Sequence, residues 1–374
     1  MKRFFLVPLV ILMVGILIFG GCAGGQEPAP APSPAPAPTP APAPTPTPTP
    51  EKPIELTLAY WPPPEEGVPK RQFTGYKHTI ERLTKGRVEI ALFGGCALGP
   101  PPDHLEIGLT GRADISFICT QFTPGVFPLC GVTVLPLIFT SSPTACRATW
   151  DLMEEYLLDT EFKDMHPLWT AQTCLLELQT NKPVHTLEDF KGLKIATVAP
   201  EQVPMTELLG AIPVVMPEVE LYTAEERGLV DGRWGHWDSS VVWKDYEVTK
   251  YRTGDVDIAS MGHTVLFMNL DSWDALPPDI KEIFDGLRLG YSVYAGVTYD
   301  ENDLLNLKII EEYDEKVGNP PIYWLPKEER ARWVEAVAPT HDTWVSEMEK
   351  KGLPGREVLE FVKSQSKLYA TGEK

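Results

Sequence analysis

The chain has 374 residues and a formal net charge of −19, from 33 Lys and Arg against 52 Asp and Glu. Acidity of this size argues against a surface for nucleic acid or anionic lipid, although it does not name a ligand. The part that follows residue 50 exceeds a comfortable single core, so we expect two domains.

The chain opens with a targeting segment. Basic residues at positions 2 and 3 precede an apolar run over residues 4–19, and two glycines lead to Cys22. This order predicts a lipoprotein signal peptide over residues 1–22 with Cys22 as the lipidated residue. The alternative is a transmembrane helix, because the run is nearly long enough to span a bilayer. Both interpretations place the rest of the chain outside the cytoplasm, in the periplasm or at the cell surface.

A proline-rich segment follows over residues 23–52. Proline stands at every second position from residue 28 to residue 50. This pattern favours polyproline II and prevents a packed core, so we predict a disordered linker. At ~3.1 Å per residue the positions from residue 28 to residue 50 extend to about 70 Å, which is the length of a spacer.

Five cysteines follow Cys22, at positions 96, 119, 130, 146 and 174. An odd number leaves at least one thiol free, and none of the five has the Cys-x-x-Cys spacing of metal sites. We expect most of them to be buried apolar residues rather than disulfide partners.

Two series of strand–helix units follow residue 53, as is typical of an α/β fold with largely parallel sheets. The first series comprises strands over residues 54–58, 87–93 and 113–118 and helices over residues 73–83, 105–109 and 142–157. A strand over residues 168–178 is long enough to pass from one domain to the other.

The second series begins at residues 186–189, which resemble a capping box. Short elements continue from a strand at residue 192 to residue 232. From residue 271 the sequence predicts one long helix towards residue 313 that bridges both domains, because the run is too long for an ordinary globular helix. Helices over residues 328–350 and 356–367 complete the chain.

Several segments resemble the DctP-like solute-binding proteins of TRAP (tripartite ATP-independent periplasmic) transporters. They lie in the family's order and spacing at residues 182–184, 187–195, 209–214, 220–222, 228–232, 246–248 and 250–251, with Lys244, Asn269, Trp273 and residues 276–277. Each segment is weak evidence alone, but together they cover nearly all of residues 53–360.

The resemblance implies a periplasmic-binding-protein-like α/β fold, with two lobes, a hinge cleft and a long helix that bridges both lobes. Lobe I is expected at residues 53–173 and 262–301, and lobe II, with the C-terminal helices, at residues 174–261 and 302–374. The implied protein is not an enzyme and needs no cofactor. It closes over one small organic ligand and delivers that ligand to two integral membrane subunits.

The usual carboxylate clamp of the family is missing from this sequence. The family presents an arginine directly after the strand that here reads Gly-Leu-Lys-Ile, and the chain has Ala196 there. A second arginine corresponds to Leu176, an asparagine to Gly235, and an aromatic residue to Glu218. A buried carboxylate without its cation costs several kcal/mol. A dicarboxylate clamped in the common way is therefore not expected.

The first lobe contributes candidate site residues at strand ends, where ligands of α/β proteins bind. The resemblance places five side chains there: Tyr60, Trp61, Phe117, Cys119 and Gln121.

The second lobe leaves three replacements for the arginine open. Arg233 and His236 would supply positive charge from a neighbouring loop. Alternatively, the acids Glu177, Glu218 and Asp238 favour a cationic or zwitterionic ligand. Trp234 and Trp237 would then form an aromatic wall beside that ligand. In the third alternative a neutral or aromatic ligand stacks on these tryptophans. The competing interpretation is that the tryptophans pack the hinge.

No metal site is predicted from the sequence. His263 stands near a crossing segment, and no second histidine lies at ligand spacing, so we interpret it as structural. An exported α/β hydrolase is the alternative function from another class. The sequence lacks Gly-x-Ser-x-Gly, His-Glu-x-x-His and a phosphate-binding glycine loop, which argues against it. A ligand-binding subunit for a sensor stays open, because it uses the same closed-cleft signal.

Overall fold

The computed structural model describes residues 52–63 and 67–372. The predicted signal peptide, Cys22 and all but the last residue of the proline-rich segment lie outside the described residues. In chain order the strands are β1 (Ile54–Ala59), β2 (Val88–Phe93), β3 (Ile115–Cys119), β4 (His166–Gln172), β5 (Glu177–Thr180), β6 (Lys194–Thr197), β7 (Ile212–Val215), β8 (Gly232–Gly235), β9 (Tyr251–Gly254), β10 (His263–Met268) and β11 (Tyr323–Trp324).

Helices lie on both sheets and between them. In chain order they are α1 (Gly67–Pro69), α2 (Gly75–Leu83), α3 (His104–Leu109), α4 (Ser142–Leu152), α5 (Leu187–Phe190), α6 (Val203–Leu208), α7 (Leu221–Glu226), α8 (Trp237–Trp243), α9 (Leu270–Asp274), α10 (Pro278–Val317), α11 (Lys327–Val337), α12 (Thr340–Lys350) and α13 (Gly355–Thr371).

Each lobe is built on one mixed sheet. The first has the order β2-β1-β3-β10-β4, and the second has the order β11-β9-β5-β8-β6-β7. In the first sheet β1 runs parallel to β2 and β3, whereas β10 is antiparallel to β3 and β4. In the second sheet β6 runs parallel to β7 and β8, whereas β5 is antiparallel to β8 and β9. The predicted two-lobed α/β architecture is confirmed.

Two of the segments that cross between the lobes, one after β4 and one before β10, lie side by side. The strand predicted over residues 168–178 is divided into β4 and β5, which belong to different sheets. Its middle pairs with the segment that leads into β10, through Thr173 N to Gly262 O at 3.1 Å and Leu176 N to Ala259 O at 2.8 Å. This paired crossing forms the hinge.

Helix α10 is 40 residues long and spans both lobes, which confirms the predicted bridging helix. Phe284 and Tyr291 in its first half pack in the core of the first lobe. Near its end Asp314 pairs with Arg252 of the second lobe, at 3.2 Å. The helix starts at residue 278 rather than 271, because proline at its first position suits a helix start and separates it from α9.

The last two helices correct the expected lobe boundaries. Residues 302–374 were expected in the second lobe, and Trp333 of α11 does pack in its core. In contrast, α12 and α13 cover the first lobe, where Trp344 and Val362 pack with Phe267 of β10. The apolar faces of α12 and α13 close a core beside α4, and burial of that surface brings the chain end back to the first lobe.

The five cysteines after Cys22 are free, and four of them are buried, as expected for small apolar residues. Among the described helices none combines the length and the apolar character that a bilayer crossing needs.

Substitution of Gly108 by alanine should destabilise the first lobe. A Cβ at this position of α3 would lie 2.3 Å from Phe267 Cζ and 2.8 Å from Ser116 Cβ. Overpacking of this kind costs about 1–3 kcal/mol. We therefore expect a lower midpoint of thermal unfolding for Gly108→Ala.

The matched control is Gly290→Ala, because Gly290 is an exposed helical glycine with open space around it. It should gain up to about 1 kcal/mol from helix propensity. Equal shifts for the two variants would contradict the close approach of α3 to β10.

Candidate ligand-binding site

A cavity of about 570 Å³ lies between the lobes and touches both of them. The first lobe contributes residues after β1 and at the end of β3, and the second lobe contributes residues around the start of α8. The crossing segments contribute Thr173, Met261 and Gly262, and α10 contributes Tyr299.

Aromatic side chains form one wall of the cavity. Trp61 stacks on Phe117 with ring centroids 4.6 Å apart and meets Phe122 edge-on at 5.4 Å. Trp243 and Tyr299 line the cavity as well. A flat, apolar molecule fits such a wall, since stacked and edge-to-face contacts stabilise aromatic pairs beyond their buried area.

Two carboxyl groups and one imidazole lie in the lining, those of Glu218, Asp238 and His236. Among the described residues that line this cavity there is no lysine and no arginine. Asn306 of α10 donates to Asp238 Oδ1 at 2.7 Å. His236 Nδ1 lies 3.3 Å from Asp303 Oδ1. Both contacts tie the start of α8 to α10.

The environment shifts the pKa of each of these groups. Burial raises the pKa of Glu218 to about 7, although Arg233 and His236 oppose this. Burial also raises the pKa of Asp238 to about 6. For His236 burial lowers the pKa, but the neighbouring acids Asp303, Asp238 and Glu218 together outweigh this and leave the pKa above its ordinary value. The cavity therefore combines an apolar wall with acids that hold their protons unusually well.

A second, acidic cavity of about 600 Å³ lies at the hinge. Its lining includes Cys174, Glu177, Asp257, Asp300 and Asp303. Donor atoms of Cys174 and Asp303 lie within 4.8 Å of each other and of a ring nitrogen of His236.

The family model for bacterial extracellular solute-binding proteins of family 7, DctP, matches residues 65–348. The chain belongs to this family. The resemblance drawn from the sequence segments is thereby confirmed, and with it the assignment as a solute-binding protein of the TRAP type. Membership favours solute binding over the hydrolase and sensor alternatives.

Relatives of known name and structure agree with this assignment. The C4-dicarboxylate-binding periplasmic protein DctP of Rhodobacter capsulatus is 27% identical over 272 residues, which are 71% of this chain and 79% of that protein. A TRAP solute-binding protein from Rhodoferax ferrireducens T118, in complex with copurified benzoate, superposes with a TM-score of 0.80 at 26% identity and covers 85% of this chain and 99% of its own. An open TRAP periplasmic solute-binding protein from Desulfovibrio salexigens DSM2638 gives a TM-score of 0.73 at 28% identity, with 86% and 98% covered.

Seven of the predicted site residues lie at or beside the cavity of this solute-binding protein. Those in its lining are Trp61, Phe117, Cys119, Glu218, His236 and Asp238. Gln121 lines an adjoining cavity that shares Glu218. Its Oε1 accepts from His263 N at 2.8 Å and from the Cys119 thiol at 3.3 Å. Gln121 thus fixes the end of β3 to the second crossing segment.

Arg233 and Trp234 do not line the cavity, although both were candidates. The Arg233 side chain is fully buried, pairs with Asp245 and donates to Ser239 Oγ at 2.7 Å. Trp234 lies in the core of the second lobe and donates from Nε1 to Thr206 Oγ1 at 2.9 Å. Both face away from the cleft because β8 is buried on its two sides and these partners lie within its own lobe.

Four further candidates lie outside the cavity lining. Tyr60 stacks on Phe73 at 4.2 Å in the core of the first lobe, and Ala196 is buried in the core of the second. Glu177 faces the hinge cavity and accepts from Val256 N at 3.1 Å. Trp237 is buried at the first position of α8. The aromatic wall on the second-lobe side is therefore Trp243, not Trp234 or Trp237.

Sequence reasoning missed several lining residues, among them Tyr299 and Thr264. Tyr299 lies in the middle of α10, where helical periodicity does not distinguish a cavity position from a core position. Thr264 is the second residue of β10, and every residue of that strand is buried. Its position directly after the second crossing segment was the one sequence feature that could have indicated a place in the cavity lining.

Proposed function

We propose that this solute-binding protein captures a small aromatic molecule without net negative charge and delivers it to the membrane subunits of a TRAP transporter. One observation carries the ligand class. The described lining of the interlobe cavity combines an aromatic wall with Glu218 and Asp238, and it contains no arginine or lysine. An ammonium or a neutral hydrogen-bond donor satisfies these carboxyl groups, whereas a ligand carboxylate would face two acids.

Delivery to membrane subunits rests on family membership, and closure of the lobes rests on the paired crossing segments. The two crossing segments, α10 and the link between α11 and α12 join the described lobes, so a rigid rotation of one lobe requires backbone changes at only a few places. Tethering through Cys22 rests on the N-terminal sequence. Together these features describe a receptor that stays near its transporter while its lobes open and close.

An aromatic carboxylate is the second candidate ligand. His236 lies in the lining, and neighbouring acids, chiefly Asp303, outweigh the effect of burial and raise its pKa above the ordinary value. The Rhodoferax ferrireducens relative holds benzoate. For an anion to bind here, Glu218 must keep its proton. Its pKa of about 7, raised by burial, means that this form is populated near neutrality.

The two candidates respond to pH with opposite signs. As pH rises through about 7, Glu218 loses its proton and the cavity gains a negative charge. Affinity for benzylamine should then rise by about tenfold, while affinity for benzoate should fall by a similar factor. Benzyl alcohol should change little. Isothermal titration calorimetry of the three probes at pH 6, 7 and 8, with EDTA present, measures these trends.

Glu218→Gln isolates the contribution of this carboxyl group from those of His236 and Asp238. We expect a flatter pH dependence in this variant for both charged probes. Glu220→Gln is the matched control, because Glu220 is exposed and lies outside the cavity lining. Tighter binding of benzoate than of benzylamine at pH 8, unchanged by Glu218→Gln, would rule out the proposed ligand class.

A further inference from the structure

We propose that Cys174, His236 and Asp303 bind one divalent transition-metal ion of the zinc type at the hinge, next to the solute cavity. The three residues are far apart in sequence, yet their donor atoms all lie within 4.8 Å of one another. Cys174 and His236 are buried, with 4% and 3% of their surface exposed. Nothing in the proposed solute binding uses the Cys174 thiol.

Three different structural elements bring these donors together. Cys174 lies in the first crossing segment, His236 caps the start of α8, and Asp303 lies in the middle of α10. Asp303 Oδ1 accepts from Asp238 N at 2.8 Å and lies 3.3 Å from His236 Nδ1. Two of the three donors are thus already held in place by the backbone of α8.

The donor set selects the class of metal. Thiolate and imidazole are ligands for zinc and its transition-metal neighbours, whereas calcium and magnesium require oxygen atoms. Three protein ligands with a fourth position open to water or substrate are typical of non-structural zinc sites. The sequence offers no spacing motif for this set, because its members stand 62 and 67 residues apart.

The surroundings favour a cation. The hinge cavity that contains Cys174 and Asp303 is also lined by Glu177, Asp257 and Asp300, and its described lining contains no lysine, arginine or histidine. Acidic side chains with low-dielectric walls concentrate counter-ions. The backbone N–H of Ser142 donates to Asp300 Oδ1 at 3.3 Å, which fixes one of these carboxyl groups in the lining.

The charge of the cluster balances when the metal enters. A divalent ion, a thiolate, a neutral imidazole and a carboxylate sum to zero. The Cys174 thiol loses its proton to solvent, the metal takes the place of that proton on the sulfur, and no redox step occurs. Metal binding therefore leaves no uncompensated charge in the buried hinge.

Metal binding would also tighten the hinge. Zinc bonds to sulfur and nitrogen are about 2.0–2.3 Å long, so donors up to 4.8 Å apart must approach one another. If Nδ1 of His236 is the donor, it exchanges its long 3.3 Å bond from Ser239 N for the metal. The movement draws the crossing segment, α8 and α10 together. Because His236 also lines the solute cavity, the metal and the solute should change each other's affinity by the same factor.

Cobalt and zinc titrations of the EDTA-stripped protein, without any organic solute, test the site. We expect one equivalent of Zn²⁺ by calorimetry. With Co²⁺ we expect visible bands of four-coordinate geometry and a near-ultraviolet thiolate-to-cobalt band. Cys174→Ser and Asp303→Asn should each weaken Zn²⁺ binding by on the order of 100-fold and remove or shift the cobalt bands.

The matched control is Cys130→Ser, because Cys130 is another free, buried cysteine, which packs in a separate core cluster. It should keep the stoichiometry, the affinity and the thiolate band. Circular dichroism of the metal-free variants shows whether they fold. Absence of a thiolate band in the unmodified protein overturns the proposal without any variant, and so does Zn²⁺ affinity that Cys174→Ser leaves unchanged. Solute titrations in EDTA keep the two proposals separable.

Discussion

Replacement of Arg233 by methionine should lower the free energy of unfolding by about 3–5 kcal/mol, because it leaves a buried carboxylate without its cation. Arg233 and Asp245 form an ion pair whose side chains are both fully buried. Arg233 also donates to Ser240 Oγ at 3.2 Å. Methionine has a comparable length, so the loss reports on charge and hydrogen bonding more than on volume. Urea denaturation at pH 7 measures the change.

The surroundings of this ion pair increase the expected effect. Glu225 is 2% exposed, and neither of its carboxyl oxygens has a hydrogen-bond partner among the described residues. Burial raises its pKa to about 8, against the opposing effect of Arg233. With Glu225 protonated, Arg233 and Arg252 balance Asp245 and Asp314. Loss of Arg233 breaks that balance and leaves Asp245 unpaired.

Two comparisons make the Arg233 prediction decisive. Arg356→Met removes an exposed ion pair with Asp342 and should cost less than about 1 kcal/mol. The double variant Arg233→Met with Asp245→Leu removes both charges and should recover most of the lost stability. If Arg233→Met lowered the free energy of unfolding no more than Arg356→Met does, the Arg233–Asp245 ion pair would be solvated rather than buried. A stable Arg233→Met protein that no longer binds any probe would place Arg233 in contact with the ligand.

The architecture was accessible from the sequence because its signals are local. The threonine at residue 186 and the acid at residue 189 form the expected capping box, with both reciprocal bonds present. Short apolar runs separated by amphipathic stretches indicated strands and helices in the right order. The long helix followed from an uninterrupted helical pattern. Only its start was misplaced, since a proline pair at residues 277–278 divides it from α9.

The site residues were harder to predict from the sequence, because contacts with residues distant in the chain decide which side chains face the cleft. In the segment from Gly232 to Asp238, strand alternation does not tell which side faces the cleft, because β8 is buried on both sides. Arg233 is directed inward by Asp245, twelve residues later in the chain. His236 and Asp238 reach the cavity as the first residues around a helix start. No sequence spacing predicts the inward direction of Arg233 or the cavity positions of His236 and Asp238.

The hinge cluster and the lobe covered by the C-terminal helices also could not be predicted from local sequence patterns. The Cys174, His236 and Asp303 donors meet because crossing segments and α10 converge, which no local pattern records. Helices over residues 328–350 and 356–367 were predicted from the sequence, but the lobe that α12 and α13 cover was not. Long-range packing decides both, and it depends on complementary surfaces that a single sequence does not identify.

Acid should unfold this protein partly through His263. The residue is fully buried in β10, where its Nε2 contacts Thr170 Oγ1 and its Nδ1 has no partner among the described residues. Burial lowers its pKa to about 3, while an unfolded histidine titrates near 6.5. Between these values the unfolded chain binds a proton that the folded chain does not. The contribution of His263 to stability is therefore complete above about pH 6.5 and is lost as pH falls towards 3.

His263→Gln should remove this acid sensitivity, because glutamine can bond to Thr170 and does not titrate. At pH 7 the variant should be less stable by about 1–2 kcal/mol, owing to imperfect packing. Towards pH 3 the variant should become the more stable protein. Protonation of His263 in the unfolded chain lowers the free energy of unfolding of the wild type by on the order of 4 kcal/mol there. Free energies of unfolding by urea at pH 4, 5.5 and 7 measure the crossing of the two curves. His78→Gln, an exposed position on α2, should follow the wild type at each pH. Parallel curves for His263→Gln and the wild type would show that His263 gains its proton without unfolding the first lobe.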